Sequence, residues 1–163
     1  MFLAQPDSRP PCIPEFDVAV VGRSFASLRA AERLRRELRL SVTESPDAQA
    51  ARYDEVNHRW EIDTAGGVAA RAKIVVESSG TILVEGRRGR SLAQDADGLV
   101  VHGYPNLFRL GDSGTPDPVG SVCRLVGHMR TNVLDYIEAR PTAAFINRLD
   151  AVTFDRPVPR NLL

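Results

Sequence analysis

The sequence predicts an α/β domain: a parallel sheet with helices on both faces and a β-hairpin excursion. Three observations carry that prediction. An apolar run, Val18 to Val21, breaks at Gly22, continues into a helical pattern and recovers as a short strand ending on Glu44. A second valine-rich run, Ile74 to Val76, stops at Gly80, and a third strand candidate, Leu107 to Leu110, leads through a polar loop into a long amphipathic stretch. Strands that alternate with helical patterns in this way build parallel sheets.

Each element has a local reason. Phe16 to Val21 alternates little and is rich in valine, as a strand buried on both faces should be. From Ser24 to Arg39 the apolar positions Leu28, Ala31, Leu34 and Leu38 fall three or four apart, with arginines and glutamates between them, which predicts an amphipathic helix. Leu40 to Glu44 is the second strand, closed by Ser45-Pro46-Asp47 turn chemistry. Alternation through Trp60, Ile62 and Thr64, then Gly66-Gly67, then a second alternating run is a hairpin signal. Thr81 to Asp97 is weakly patterned and predicts mostly loop, with a short strand expected over Leu99 to Val101. A helix is expected from about Ser121 to Ala139, and after Pro141 a last short helix around Ala143 to Ala151.

Composition bounds the function. The 163 residues are 43% hydrophobic and carry 21 basic against 21 acidic side chains, one ordinary domain without the field that draws nucleic acid or a membrane surface. Lys73 is the only lysine, and the arginine excess reads first as compositional bias. Cys12 and Cys123 have neither metal-ligand nor disulfide-framework spacing, and His58, His102 and His128 form no ligand pattern, so no metal is expected and the setting reads as reducing and cytoplasmic. Residues 1–15, proline-rich with no signal-peptide core, read as a disordered leader. The domain is expected over 16–151 and an extended tail over 152–163.

Chemistry concentrates in Phe16 to Glu44. A dinucleotide-binding turn wants three glycines, for the tight turn, for approach to the pyrophosphate, and for helix–strand packing, with an acid about twenty residues on for the ribose. Those positions hold Gly22, Ser24, Ser27 and Glu44. A serine at the second position puts a side chain where phosphate oxygens should sit, yet its hydroxyl is also a donor to them. A plain strand–helix–strand unit without ligand accounts for this stretch equally well. The cluster Arg87, Arg88 and Arg90 reads as a solvated loop, and Ser113 and Ser121 lack a nucleophile elbow.

The chain resembles the FAD domain of flavin-dependent monooxygenases, above all the Baeyer–Villiger type. FDVAVVGRSFASL is similar to the opening of their FAD site. DEVNHRWEIDTAGGVAARAKIVVESSG resembles their hairpin excursion and the strand ending in Ala-Thr-Gly, here Ser78-Ser79-Gly80. RSLAQDADGLVVHGYPNLFRLGDSG and IEARPTAAFINRLD resemble two later blocks, in family order, so that the resemblance covers most of residues 16 to 150. It implies that Gly22, Ser24 and Phe25 line the pyrophosphate, Glu44 the adenosine ribose, Val56 and Ser79-Gly80 the adenine side, and Gly111-Asp112 the flavin side. Asp112 departs from the Baeyer–Villiger pattern and agrees with the Gly-Asp of two-dinucleotide flavoproteins; a loop or helix-start acid is the other reading.

Two family segments are missing. Only eight residues separate Glu44 from Tyr53, where the family carries a long stretch with Gly-Gly-Thr-Trp around the flavin ring. Between Gly80 and the YPNLF block no NADPH domain intervenes. The expectation is a reduced flavoprotein-like oxidoreductase domain that binds FAD weakly or has lost it, has no NADPH site, and works with a separate reductase or partner. The alternative is a non-catalytic remnant or interaction module, for instance a homodimer. No catalytic residue is assigned.

Overall fold

A computed structural model describes residues 12–92, 98–111, 114–141 and 152–154. The last predicted helix, the distal leader, most of the tail and Asp112 lie outside these residues. Strand β1 (Glu15–Val21) feeds helix α1 (Phe25–Leu38) and returns as β2 (Val42–Ser45), parallel to β1 with Val18 opposite Val42 and Val21 opposite Ser45. Then β3 (Ala50–Asp54), β4 (Arg59–Thr64) and β5 (Gly67–Glu77) run up, down and up as antiparallel neighbours. β5 also lies parallel to β1, β6 (Leu83–Glu85) joins β3, and β7 (Leu107–Arg109) joins β5, both parallel. The result is a mixed, mostly parallel sheet in the order β2-β1-β5-β4-β3-β6, with β7 also on β5. Helix α2 (Pro118–Thr131) precedes a separate pair, β8 (Ile137–Ala139) and β9 (Val152–Phe154).

The far edge of β5 is shared. Its first residues, Gly67 to Ala72, pair with β4, while Val75 to Glu77 pair with β7. One face of the sheet presents Val18, Val20, Ile74, Val76 and Phe108 to Ala30, Ala31 and Leu34 of α1 and Val122, Val126 and Met129 of α2. Both helices therefore cover the same face, which corrects the expectation of helices on both. On the other side Ala19, Val21, Val75 and Leu107 share a core with Trp60 and Ile62 of β4 and with Tyr104. The β-meander takes the place of a second helical layer.

Helix α2 ends eight residues earlier than the apolar spacing suggests. Leu134 N–H bonds Met129 C=O at 2.8 Å and Val133 N–H bonds Arg130 C=O, with Val133 left-handed at φ 52°, so a Schellman turn stops the helix. Leu134 then packs back on the core, and Ile137, read from sequence as the next helical position, is a strand residue. The 81–97 stretch also holds more structure than expected, in β6 and a 3-10 turn over Arg87–Gly89.

Asn106 ties the halves together. It is buried and left-handed (φ 59°), its Nδ2 donates to Lys73 C=O at 3.2 Å and Asp135 C=O at 3.0 Å, and its Oδ1 accepts from Ile137 N–H at 2.8 Å. Trp60 Nε1 donates to the neighbouring Pro105 C=O at 2.7 Å. Asn106→Ala should lower stability by about 3 kcal/mol in a denaturant melt, since each lost bond is worth about 1 kcal/mol and buried partners are left unpaired. Asn106→Gly, which suits the backbone angle but restores none of the bonds, should not recover that loss.

Candidate functional site

The carboxyl ends of parallel strands meet where the connections diverge: β1 leads to β2 on one side, and β5 lies on the other. That switch point is where α/β sheets bind ligands. Gly22 occupies it with φ 120°, a conformation that favours glycine, and a side chain there would collide with Ser78 Oγ. Ser78 N–H in turn bonds Val21 C=O at 3.0 Å, which fastens the end of β5 to the end of β1.

Ser24 is the N-cap of α1. Its hydroxyl oxygen accepts from Ser27 N–H at 3.1 Å, and buried Ser27 returns the bond from its Oγ to Ser24 C=O at 2.7 Å. Helix N-termini attract anions because their first N–H groups lack partners. Here the chain's own hydroxyl takes one of those donors. With φ −74° Ser24 has no backbone need for glycine, so the two serines replace an open phosphate cradle by a closed cap.

Glu44 is at the carboxyl end of β2, opposite Val20. Its Oε2 accepts from Arg35 Nη1 at 3.1 Å, and Arg35 also holds Val42 C=O at 2.9 Å. Across the edge Arg23 pairs with Asp47. Ser79 and Gly80 fold over Glu77, whose Oε1 accepts from Ser79 Oγ at 2.7 Å and Gly80 N–H at 2.5 Å. Glu77 is 3% exposed and stands next to Val21 in the sheet. Sequence reading passed over it because it ends a valine run; an acid at the end of an otherwise apolar strand was the available signal.

Of the predicted residues, Gly22, Ser24, Phe25, Glu44, Ser79, Gly80 and Gly111 gather at this edge, Gly111 following Leu110, whose N–H bonds Glu77 C=O at 2.8 Å. Phe25 is 76% exposed, with Arg29 over its ring. Val56 does not join them. It lies on the β3–β4 turn, where the ladder sets Tyr53 opposite Trp60, Trp60 opposite Ala72 and Ala72 opposite Phe16, at the start of β1. Asp112 is outside the described residues.

Cys123 is buried in the α2 core, where burial raises its thiol pKa and makes it a poor nucleophile. Among the described residues no group of three or more His, Cys, Asp or Glu side chains could hold a metal, and no helix is long and apolar enough to cross a membrane.

No family model matches the sequence, and no curated protein matches it. Solved structures with a partial likeness include cyclohexanone monooxygenases. A closed crystal form is 16% identical over 58% of this chain, with a TM-score of 0.38. The enzyme from Rhodococcus sp. Phi1 bound to NADP+ is 16% identical over 56% of the chain, with a TM-score of 0.39, and an open form is 17% identical over 62%, with a TM-score of 0.33. This chain spans 28%, 31% and 24% of their respective lengths. At these scores the likeness assigns neither family nor activity to this chain.

Two measurements check these placements, one at the switch point and one at the β3–β4 turn. Ser24→Ala should destabilise by about 1 kcal/mol through loss of the cap, and Ser24→Gly by only a few tenths; Gly22→Ala should cost about 2 kcal/mol or more from its φ and the Ser78 collision. Asp54 holds the β3–β4 turn, chiefly through Asn57 Nδ2 at 2.6 Å and also through the Val56 and Asn57 N–H groups, and these bonds keep its carboxyl below the usual range. A depressed carboxylate stabilises the fold above its unfolded pKa, and that contribution is lost as pH falls through the native value. The Val56 and Asn57 amide proton resonances should therefore shift together on acidification below the ordinary carboxylate range; resonances that stay fixed in wild type would refute the assignment.

Proposed function

We propose that this chain is a reduced flavoprotein-type oxidoreductase domain, related to the flavin monooxygenases, that holds FAD weakly and depends on a separate reductase or partner chain for electrons. The observation that supports this reading best is the β1–Gly22–α1–β2 unit, a tight positive-φ turn at the switch point of a mostly parallel sheet with Glu44 at the end of the second strand. The order of the four sequence blocks agrees with it. When bound, FAD would supply the electron-accepting ring.

The chain's own residues have narrower tasks. Gly22 would make the tight turn that brings the start of α1 to the pyrophosphate, and the first N–H groups of α1 would face it. Glu44 would accept from the ribose hydroxyls in exchange for its bond to Arg35. The backbone turn fits a dinucleotide, but the Ser24–Ser27 exchange must open first and the buried Glu77 carboxylate opposes a diphosphate. Both effects make affinity low. Hydride delivery by this chain alone is not part of the proposal.

The same serine exchange favours a second reading, a non-catalytic module that keeps the fold without the cofactor and uses its surface, with exposed Phe25 and Leu28, toward a partner or a second copy. A visible spectrum of the purified protein, with mass spectrometry of anything released on denaturation, separates the two. The flavin reading expects a yellow protein, or a colourless one whose melting temperature rises with added FAD. It also expects Ser24→Gly with Ser27→Gly to tighten FAD by about tenfold, the equivalent of one freed charge-assisted bond. A colourless protein whose melting temperature ignores FAD, in wild type and in the glycine variant, would leave the module reading.

A further inference from the structure

Away from the switch point, the 3-10 turn over Arg87–Gly89 faces the loop that carries His102 and Gly103. Between them lies a cleft of about 640 Å³ lined by Arg87, Arg88, Arg90, His102 and Gly103. We propose that this cleft binds a compact oligophosphate anion, of the size and charge of pyrophosphate or triphosphate. The proposal does not rest on the flavin reading.

The first support is the construction of the turn. Gly86 N–H bonds Arg90 C=O at 2.8 Å, Arg90 N–H bonds Arg87 C=O at 3.2 Å, and Arg87 N–H bonds Gly103 C=O at 3.0 Å. Tyr104 Oη donates to Arg90 C=O at 3.0 Å. Gly86 is packed so closely that a Cβ would stand 2.5 Å from Gly103 C=O and 2.6 Å from the Tyr104 ring. A solvated loop has no need of this closure. Arg88 is held left-handed at φ 59°, a local strain of the kind that persists where surrounding structure enforces it and that clusters at ligand sites.

Charge gives the second support. Arg87 is fixed by Glu138 at 2.7 Å and stacks on the Tyr136 ring, its guanidinium carbon 5.2 Å from the ring centroid. The Glu138 carboxylate is buried and already accepts from Gly103 N–H at 2.8 Å, with His102 Nδ1 at 4.0 Å. Glu55 accepts from the Arg88 backbone N–H at 3.1 Å. Among the described residues two carboxylates thus stand against three guanidinium groups, with an imidazole alongside. Guanidinium forks suit phosphate oxygens.

The lining selects the ligand class. Among the described residues the lining side chains are three arginines and a histidine, so recognition falls on the anion itself. The space exceeds a single tetrahedral oxyanion, and several guanidinium groups reward several negative charges. An oligophosphate meets both conditions.

Calorimetric titration of the full chain with inorganic pyrophosphate and tripolyphosphate tests this, with sulfate and citrate as the competing arms. Saturable one-to-one binding of the oligophosphates is expected, weakened by added salt. Arg88→Gly, which suits the backbone angle, combined with Arg90→Gln should reduce affinity by about tenfold or more while the thermal melt shows the fold retained. Arg29→Gln with Arg36→Gln, on α1, should leave affinity unchanged. Equal binding by sulfate or citrate, or an affinity indifferent to R88G/R90Q, would overturn the proposal. If pyrophosphate affinity instead responds to S24G/S27G and not to R88G/R90Q, the anion belongs to the dinucleotide edge, and this inference fails while the flavin reading gains.

Discussion

Strand β5 bears ladder bonds on both edges, and most of the sheet takes its position from that. From Arg71 to Glu77 it runs beside β1, while its other edge serves β4 first and β7 afterward. A strand can change partners this way because its backbone groups must be paired along the whole buried length, but not by one neighbour. The division makes two assemblies from one sheet: a parallel half with β1, β2 and β7 under both helices, and an antiparallel arm that closes the opposite face. Asn106 and the Trp60–Pro105 bond sit where the halves meet, so both read as joints.

The carboxyl edge keeps the geometry of a ligand crevice and fills it with the chain's own groups. Ser78 packs against Gly22, Ser24 caps the helix that an anion would cap, and Arg35 and Arg23 reach over to Glu44 and Asp47. These last two pairs are solvent-exposed and contribute little to stability. Their effect is local: they hold the Glu44 and Asp47 carboxylates in place at that edge. The edge is thus braced by the chain's own groups.

Much of the strand and helix pattern was legible because it rests on short-range periodicity. The valines of β1 and β5, the three-four spacing of α1, and Gly22 at a turn that only glycine suits are features of neighbours in sequence. The early end of α2 was not, because Val133 is a poor residue for a left-handed cap and is held there by Leu134 returning to the core. Glu77 was hidden for a similar reason: its burial follows from the Ser79-Gly80 turn closing over it, which alternation cannot report.

What the sequence determined alone was the α/β class, the tight turn at Gly22 and the place of Glu44 at the end of a strand, since each depends on residues within one element or its immediate neighbours. Tertiary structure decided that both helices share one face, that Val56 lies apart from the other expected contacts, and that the turn with Arg87, Arg88 and Arg90 stands beside His102 while Arg88 and Arg90 stay exposed. Those outcomes depend on which strands pair with β5 and on where Glu138, 51 residues beyond Arg87, meets the turn. Pairing across such distances is set by burial and hydrogen bonding of the whole chain, for which local pattern holds no signal.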